Sequence, residues 1–209
     1  MDLKIRQKNL SQEAYNKIKL LILENVLKSG EKIVQEKMAQ RLGISRIPLI
    51  QALSMLQKER LLEYNPRKGF AVREISTKEF YDLLEVRGAL EGLAVKIIAK
   101  RLNEPIKKRL LSFLKEFKDA SKEKDINRYF YLDRKFHFYI IQAADNSYLS
   151  FINNSLNILL LCYTKGFRTN LNLSYNDHKK IINEILKGNG EEAESMMLKH
   201  LEHTKEYFN

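Results

Sequence analysis

The sequence predicts a mainly α protein, with an N-terminal winged helix-turn-helix and its small β-wing, then an all-α six-helix antiparallel bundle. Three observations predict it. Two helical patterns are joined tightly around Gly43, a hairpin pattern with a basic tip follows them, and apolar residues then recur at helical spacing with no further strand pattern.

The first helical pattern is Glu36 to Leu42, with Met38, Ala39 and Leu42 on one face. Gly43 stands where a glycine closes a helix, Ser45 where a hydroxyl caps the next one, and Pro48 in that helix's first turn, where its missing N–H costs little. Leu49, Ala52, Leu53 and Leu56 then repeat at helical spacing. In a helix-turn-helix the second helix enters the major groove with its N-terminal residues toward base edges. Those residues are Ser45, Arg46 and Ile47. The wing is read from Leu61–Tyr64 and Phe70–Arg73, around Asn65-Pro66-Arg67-Lys68-Gly69. Arg67, Lys68 and Gly69 at its tip suit phosphate or minor-groove contact. The alternative is an αα-hairpin with a solvated Arg46, against which the wing argues.

The boundary falls near Ile75, giving a DNA-binding domain over 1–75 and an all-helical domain over 76–209 with a core large enough to fold on its own. Ser76-Thr77-Lys78-Glu79 has capping-box spacing and opens an amphipathic helix running to Leu102. Further helices are predicted near 104–121, 125–143, 147–166, 174–187 and 190–207. Asp145-Asn146, Asn170 to Asn172, and Gly188-Asn189-Gly190 supply breaks.

Charge supports a polyanion partner for the first domain. The chain has 209 residues and a formal net charge of +11, from 37 Lys/Arg and 26 Asp/Glu. Residues 1–75 hold 15 basic and 8 acidic side chains, and residues 76–209 hold 22 and 18. The excess is therefore +7 in the shorter part and +4 in the longer one. Solvated lysine-rich helices are the plainer alternative. The N-terminus lacks the apolar core of a signal peptide, and the longest apolar run, Ile158 to Tyr163, is too short to span a bilayer. A single cysteine builds no internal disulfide, and Cys162 reads as a small buried hydrophobe. A cytoplasmic protein with no membrane partner is expected.

All four histidines lie in the second domain. Asp133 and His137 are four apart and share a helical face, while His178 and His200 sit on the last two predicted helices. Together they would make a site of three nitrogens and one oxygen for one divalent transition metal per chain, zinc or nickel first, then manganese or iron. His203 competes with His200 on spacing alone. Separately, each is an ordinary polar residue, and Asp133–His137 an ordinary helical hydrogen bond. Arg87 stands on the inward side of a helix rich in Leu, Ala and Val. A buried guanidinium needs an anion: an internal ion pair to Glu91 or Glu85, or a carboxylate ligand received by the planar fork.

Taken together, these residues resemble the GntR-type transcription regulators of the fatty-acid-regulator branch, whose helical ligand-binding domain is called FCD. The resemblance runs from about Ala14 to His203. Its N-terminal signature stands here as Gly43-Ile44-Ser45-Arg46-Ile47-Pro48-Leu49-Ile50-Gln51-Ala52-Leu53, then the wing ending Arg67-Lys68-Gly69-Phe70. Its effector-domain signature stands as Glu85-Val86-Arg87 with Leu90-Glu91, then Asp133 and His137, His178, and Ala193 with Met197 and His200. That order matches the family's metal-binding subset and selects His200 over His203. The resemblance implies that a small carboxylate completes the metal's coordination while Arg87 holds it. The chain departs from the family at Ile50, usually arginine, and at Ile47, usually a small hydroxyl residue.

The expected protein is a homodimeric one-component regulator, a repressor with activation as the alternative. It would read a near-palindromic double-stranded operator and sense a small carboxylate at a metal-containing pocket. A metal-responsive regulator is the runner-up. A metalloenzyme is disfavoured because no histidine has a glutamate three residues before it and no His-Glu-x-x-His motif occurs.

Overall fold

A computed structural model describes residues 10–156 and 169–207. The chain divides into two compact units, with the break between Ile75 and Ser76.

In the first unit, α1 (Leu10–Leu23) buries Ala14, Tyr15, Ile18 and Ile22 and packs against α3. A polar clasp supports that contact: the Tyr15 hydroxyl and the Lys19 ammonium both meet Glu59, at 2.6 Å and 2.9 Å. The sequence reading did not single out α1, although its apolar residues stand at helical spacing. After α2 (Gln35–Leu42) the chain turns at Gly43, whose φ of +65° favours a residue without a Cβ. Next comes α3 (Arg46–Lys58), which buries Leu49, Ala52, Leu53 and Leu56 completely. Burying each of the three leucines is worth about 1.5–3 kcal/mol, so α3 has one fixed orientation.

The wing is the antiparallel pair β1 (Leu62–Asn65) and β2 (Gly69–Val72), with Tyr64 opposite Phe70. Asn65 closes its turn, accepting from the Lys68 N–H at its carbonyl and from the Arg67 N–H at its side chain, both at 3.0 Å. One feature was not foreseen. The segment before α2 pairs with β2: Ile33 donates to the Phe70 carbonyl, and Lys32 bridges Ala71. The wing therefore has a third stretch of backbone at its base and is anchored to the helices.

The second unit is all-helical, with six helices among the described residues. They are α4 (Thr77–Lys100), α5 (Glu104–Glu123), α6 (Ile126–Ala143), α7 (Ser147–Leu156), α8 (Leu171–Lys187) and α9 (Gly190–Glu206). Side-chain caps start five of them, Asn146 accepting from Tyr148 and Leu149 at the head of α7. Ser76 accepts from Glu79 N–H, Asn103 from Ile106, Asp125 from Arg128, and Asn170 from Asn172 and Leu173. The last cap corrects an expected boundary: the Asn-rich stretch begins α8 at Leu171 instead of breaking the chain until 174. The predicted helix over 147–166 is described as far as Leu156. Its remainder, the run Ile158 to Tyr163 and Cys162 lie outside the described residues, as does the N-terminal segment 1–9.

The core is built on Phe113, Phe117, Tyr129 and Phe136 with aliphatic residues from α4, α6, α8 and α9. Helix α4 lies close along α9, and a Cβ on Gly190 would come within 3.1 Å of the Lys96 carbonyl oxygen. Among the described residues, no helix is long and apolar enough to cross a membrane.

Candidate metal centre and DNA-reading surface

The second unit gathers Asp133, His137, His178 and His200 around one point. Asp133 and His137 are one turn apart on α6, His178 comes from α8 and His200 from α9. All four are buried, and one donor atom from each lies within 4.8 Å of every other. The His137 Nε2 is 3.5 Å from His178 Nε2 and 3.3 Å from His200 Nε2. Asp133 Oδ1 is 3.4 Å from His178 Nε2 and 3.7 Å from His137 Nε2.

The opposite edges of the rings explain this convergence. His137 Nδ1 faces Glu91 Oε2 at 2.5 Å, and His178 Nδ1 faces the Tyr129 hydroxyl at 3.2 Å. His200 Nδ1 is 3.6 Å from Asp177 Oδ2, beyond hydrogen-bond length. The Tyr129 hydroxyl is itself held at 3.0 Å from Ser174 Oγ. His178 stacks on Phe117 with ring centroids 4.3 Å apart. Outer partners that fix ring orientation in this way are a regular feature of metal-binding imidazoles.

Two tests ask whether these residues fit a divalent cation. Nitrogens at zinc–nitrogen distance, arranged tetrahedrally, lie roughly 3.4 Å apart; the two Nε2 separations from His137, 3.5 and 3.3 Å, bracket this value, and the oxygen of Asp133 stands a little wider at 3.7 Å. The second test is charge. Arg87 and Arg134 bring two positive charges and Glu91, Asp133 and Asp177 three negative ones, so with neutral imidazoles the buried charged side chains carry one excess negative charge. A cation at the cluster offsets that negative charge, which is costly to bury uncompensated. The residues fit. They are a buried His/His/His/Asp cluster that could coordinate a divalent metal.

The ionisation states of Asp133, His178 and His200 agree, an ionised carboxylate beside two neutral rings, while His137 differs. Burial pushes the Asp133 carboxyl up, yet His137, His178 and His200 outweigh it and hold it well below the carboxylate range. Burial and the neighbouring His200 keep His178 well below its ordinary value, and burial likewise lowers His200. Burial also works against a charge on His137, but Glu91 and Asp133 overcome it and raise that ring.

His203 stands apart from the cluster, its Nδ1 2.7 Å from Asp177 Oδ2. Arg87 is buried on α4, with Nε 2.6 Å from Glu91 Oε1. Of the partners considered from sequence, Glu91 is the one it meets. Glu91 thereby joins Arg87 to His137, one carboxylate oxygen for each. Sequence reading did not identify the outer partners Tyr129, Ser174 and Asp177. Tyr129 left one usable signal, since it precedes Asp133 by four residues and so shares its helical face.

In the first unit, Arg46, Lys68 and Gly69 line one cleft of about 820 Å³, together with Lys32, Gln35 and Gln40. Ser45, Ile47 and Arg67 are exposed nearby in sequence, outside that lining. Ser45 occupies the N-cap position in extended conformation, but its hydroxyl makes no cap hydrogen bond, contrary to expectation. The surface therefore places the first turn of α3 and the basic wing tip around one concave face, an arrangement suited to nucleic acid.

Comparison with known proteins matches both units to known families. The description of bacterial regulatory proteins of the gntR family matches residues 10–72, and that of the FCD domain matches residues 82–203. An uncharacterised HTH-type transcriptional regulator of Bacillus subtilis strain 168, YdhC, is 29% identical over 202 residues, covering 92% of this chain and 88% of its own. The gluconate operon transcriptional repressor of the same organism is 27% identical over 166 residues, 79% of this chain and 68% of the repressor. The solved structure of Escherichia coli McbR/YncC superposes with a TM-score of 0.78 at 18% identity, over 94% of this chain and 95% of that one. With its reader and its helical domain both matched, this chain belongs to the GntR family of bacterial DNA-binding regulators, as a member carrying an FCD domain.

Proposed function

We propose that the protein is a metabolite-responsive transcription regulator, a repressor, whose helical unit senses a small carboxylate at a metal-containing pocket. One observation carries the reading: three imidazole nitrogens and one carboxylate oxygen converge in the buried core of a chain that also bears a DNA reader. Asp133, His137, His178 and His200 would hold the ion, zinc or nickel first, then manganese or iron. When bound, that ion supplies a Lewis-acidic point to which a carboxylate is drawn. Arg87 supplies the second contact, a guanidinium held in place by Glu91. The similar gluconate operon repressor is named for an operon whose namesake is a carboxylate.

DNA recognition is assigned to Ser45, Arg46 and Ile47 on α3 and to Arg67, Lys68 and Gly69 on the wing. Two copies of the chain would read the half-sites of a near-palindromic operator, because a two-fold dimer imposes its symmetry on the site. The domain assignment of 1–75 to DNA and 76–209 to effector and dimer contacts follows. Ile75 and Ser76 form the joint through which the effector acts. A carboxylate shifts operator affinity only by binding one arrangement better than another, and coupling of about 1–3 kcal/mol is typical.

The test uses the purified full chain. Elemental analysis should find about one divalent ion per chain. Operator affinity, titrated with small carboxylates at fixed metal and then with metal alone, should respond to a carboxylate. A response to metal without carboxylate would favour the metal-responsive alternative. Absence of bound metal would overturn the site.

A further inference from the structure

Helix α3 is fixed to its unit by Leu49, Ala52, Leu53 and Leu56, all fully buried. At about 100° per residue these four define one side of the helix, and Ile47 falls diametrically opposite. Ile47 is 71% exposed. Gln51 and Lys58 share that outward side and are also exposed, while half-buried Ile50 flanks it. A single exposed isoleucine on an arbitrary surface calls for no explanation. Here the position is informative, because Ile47 follows Arg46 in the turn that a helix-turn-helix lays against base edges.

Isoleucine has no hydrogen-bond donor or acceptor to offer a base. The group in the major groove that an apolar side chain recognises is the 5-methyl of thymine. Arg46, next to it, carries the planar fork that pairs with guanine O6 and N7. We propose that Ile47 is a specificity-determining residue. The operator half-site then carries a thymine whose methyl packs on Ile47, beside a guanine read by Arg46. Ile50 walls the inner edge of the same apolar strip. This inference rests on the reading of the chain as a DNA-binding regulator.

The experiment separates the two. Preferred duplexes are enriched from random DNA with the purified full chain, and each thymine of the enriched half-site is replaced in turn by deoxyuridine, which lacks only the methyl. One position should weaken binding about fourfold per half-site and roughly fifteenfold when both half-sites are changed, the loss expected for a buried methyl. In Ile47→Ala the same replacement should cost nothing further, while Ile47→Val should retain part of the discrimination. Enriched sites at which every thymine-to-uracil change is neutral would overturn the inference and leave the regulator reading standing. So would an equal methyl cost in wild type and Ile47→Ala. Failure to enrich any sequence would overturn both.

Discussion

Replacing Arg87 by alanine tests whether this guanidinium supports the core as well as receiving a ligand. The Arg87–Glu91 pair spans 2.6 Å with both side chains almost fully buried. Removing one partner of such a pair costs about 3–5 kcal/mol, because the other charge stays buried. Glu91 keeps its contact with His137 Nδ1, which places the cost near the lower end, about 3 kcal/mol. A unit the length of residues 76–209 unfolds with an entropy of about 0.3 kcal/mol/K, so metal-free Arg87→Ala should melt about 10 °C below wild type. Arg87→Lys retains the charge opposite Glu91 and loses the fork. It should melt close to wild type yet fail to respond to carboxylate. The double variant Arg87→Met/Glu91→Leu leaves no buried charge from the pair and should recover much of the loss. Calorimetry of chelator-treated protein measures all three. Melting of Arg87→Ala within about 2 °C of wild type would refute the support role. A full carboxylate response in Arg87→Lys would refute the role of the fork.

Further outcomes are expected elsewhere. Arg46→Ala should weaken specific operator binding by about 1–3 kcal/mol, and Lys68→Ala should weaken all sequences alike and reduce the salt slope by about one, both read by titration at two salt concentrations. His137→Ala should lose the metal while His203→Ala keeps most of it, by elemental analysis; full retention in the former would remove His137 from the site. Glu91→Gln should weaken metal affinity about 10–100-fold in chelator competition, since its carboxylate meets Nδ1 of the ligand ring His137. Gly190→Ala should destabilise the helical unit by about 1–3 kcal/mol, because its methyl would press on the Lys96 backbone; an unchanged denaturation midpoint would show that α4 and α9 can move apart freely.

Much of the architecture was legible because local chemistry and burial agree. Gly43, the Ser76 cap and the Asn65 to Gly69 turn of the wing each mark a boundary by a mechanism confined to a few residues. The four-residue spacing of Asp133 and His137 likewise places both on one face of α6 without tertiary information. His178 and His200 stood as candidates on the last two helices, and family order chose His200 over His203, from which nothing local distinguishes it. What stayed hidden depends on contacts between helices. Asp177 reads as one more surface acid until α9 brings His200 and His203 beside it. The pairing of Ile33 with Phe70 escaped notice because the stretch before α2 is too short to alternate. Ser45 has the chemistry of a cap and the position of one, yet its hydroxyl does not serve as one.

Three separate helices supply the ligands around His137, and Asp133 and His200 are far apart along the chain. No fraying of a single segment can release an ion held in this way. It would leave when the helices part, with an exit rate set by opening of the bundle rather than by the strength of any one bond. Such a centre exchanges slowly with the surrounding pool. On the function proposed above, it would record the metal supply at the time the unit folded, while a carboxylate effector would come and go within the lifetime of one loaded molecule.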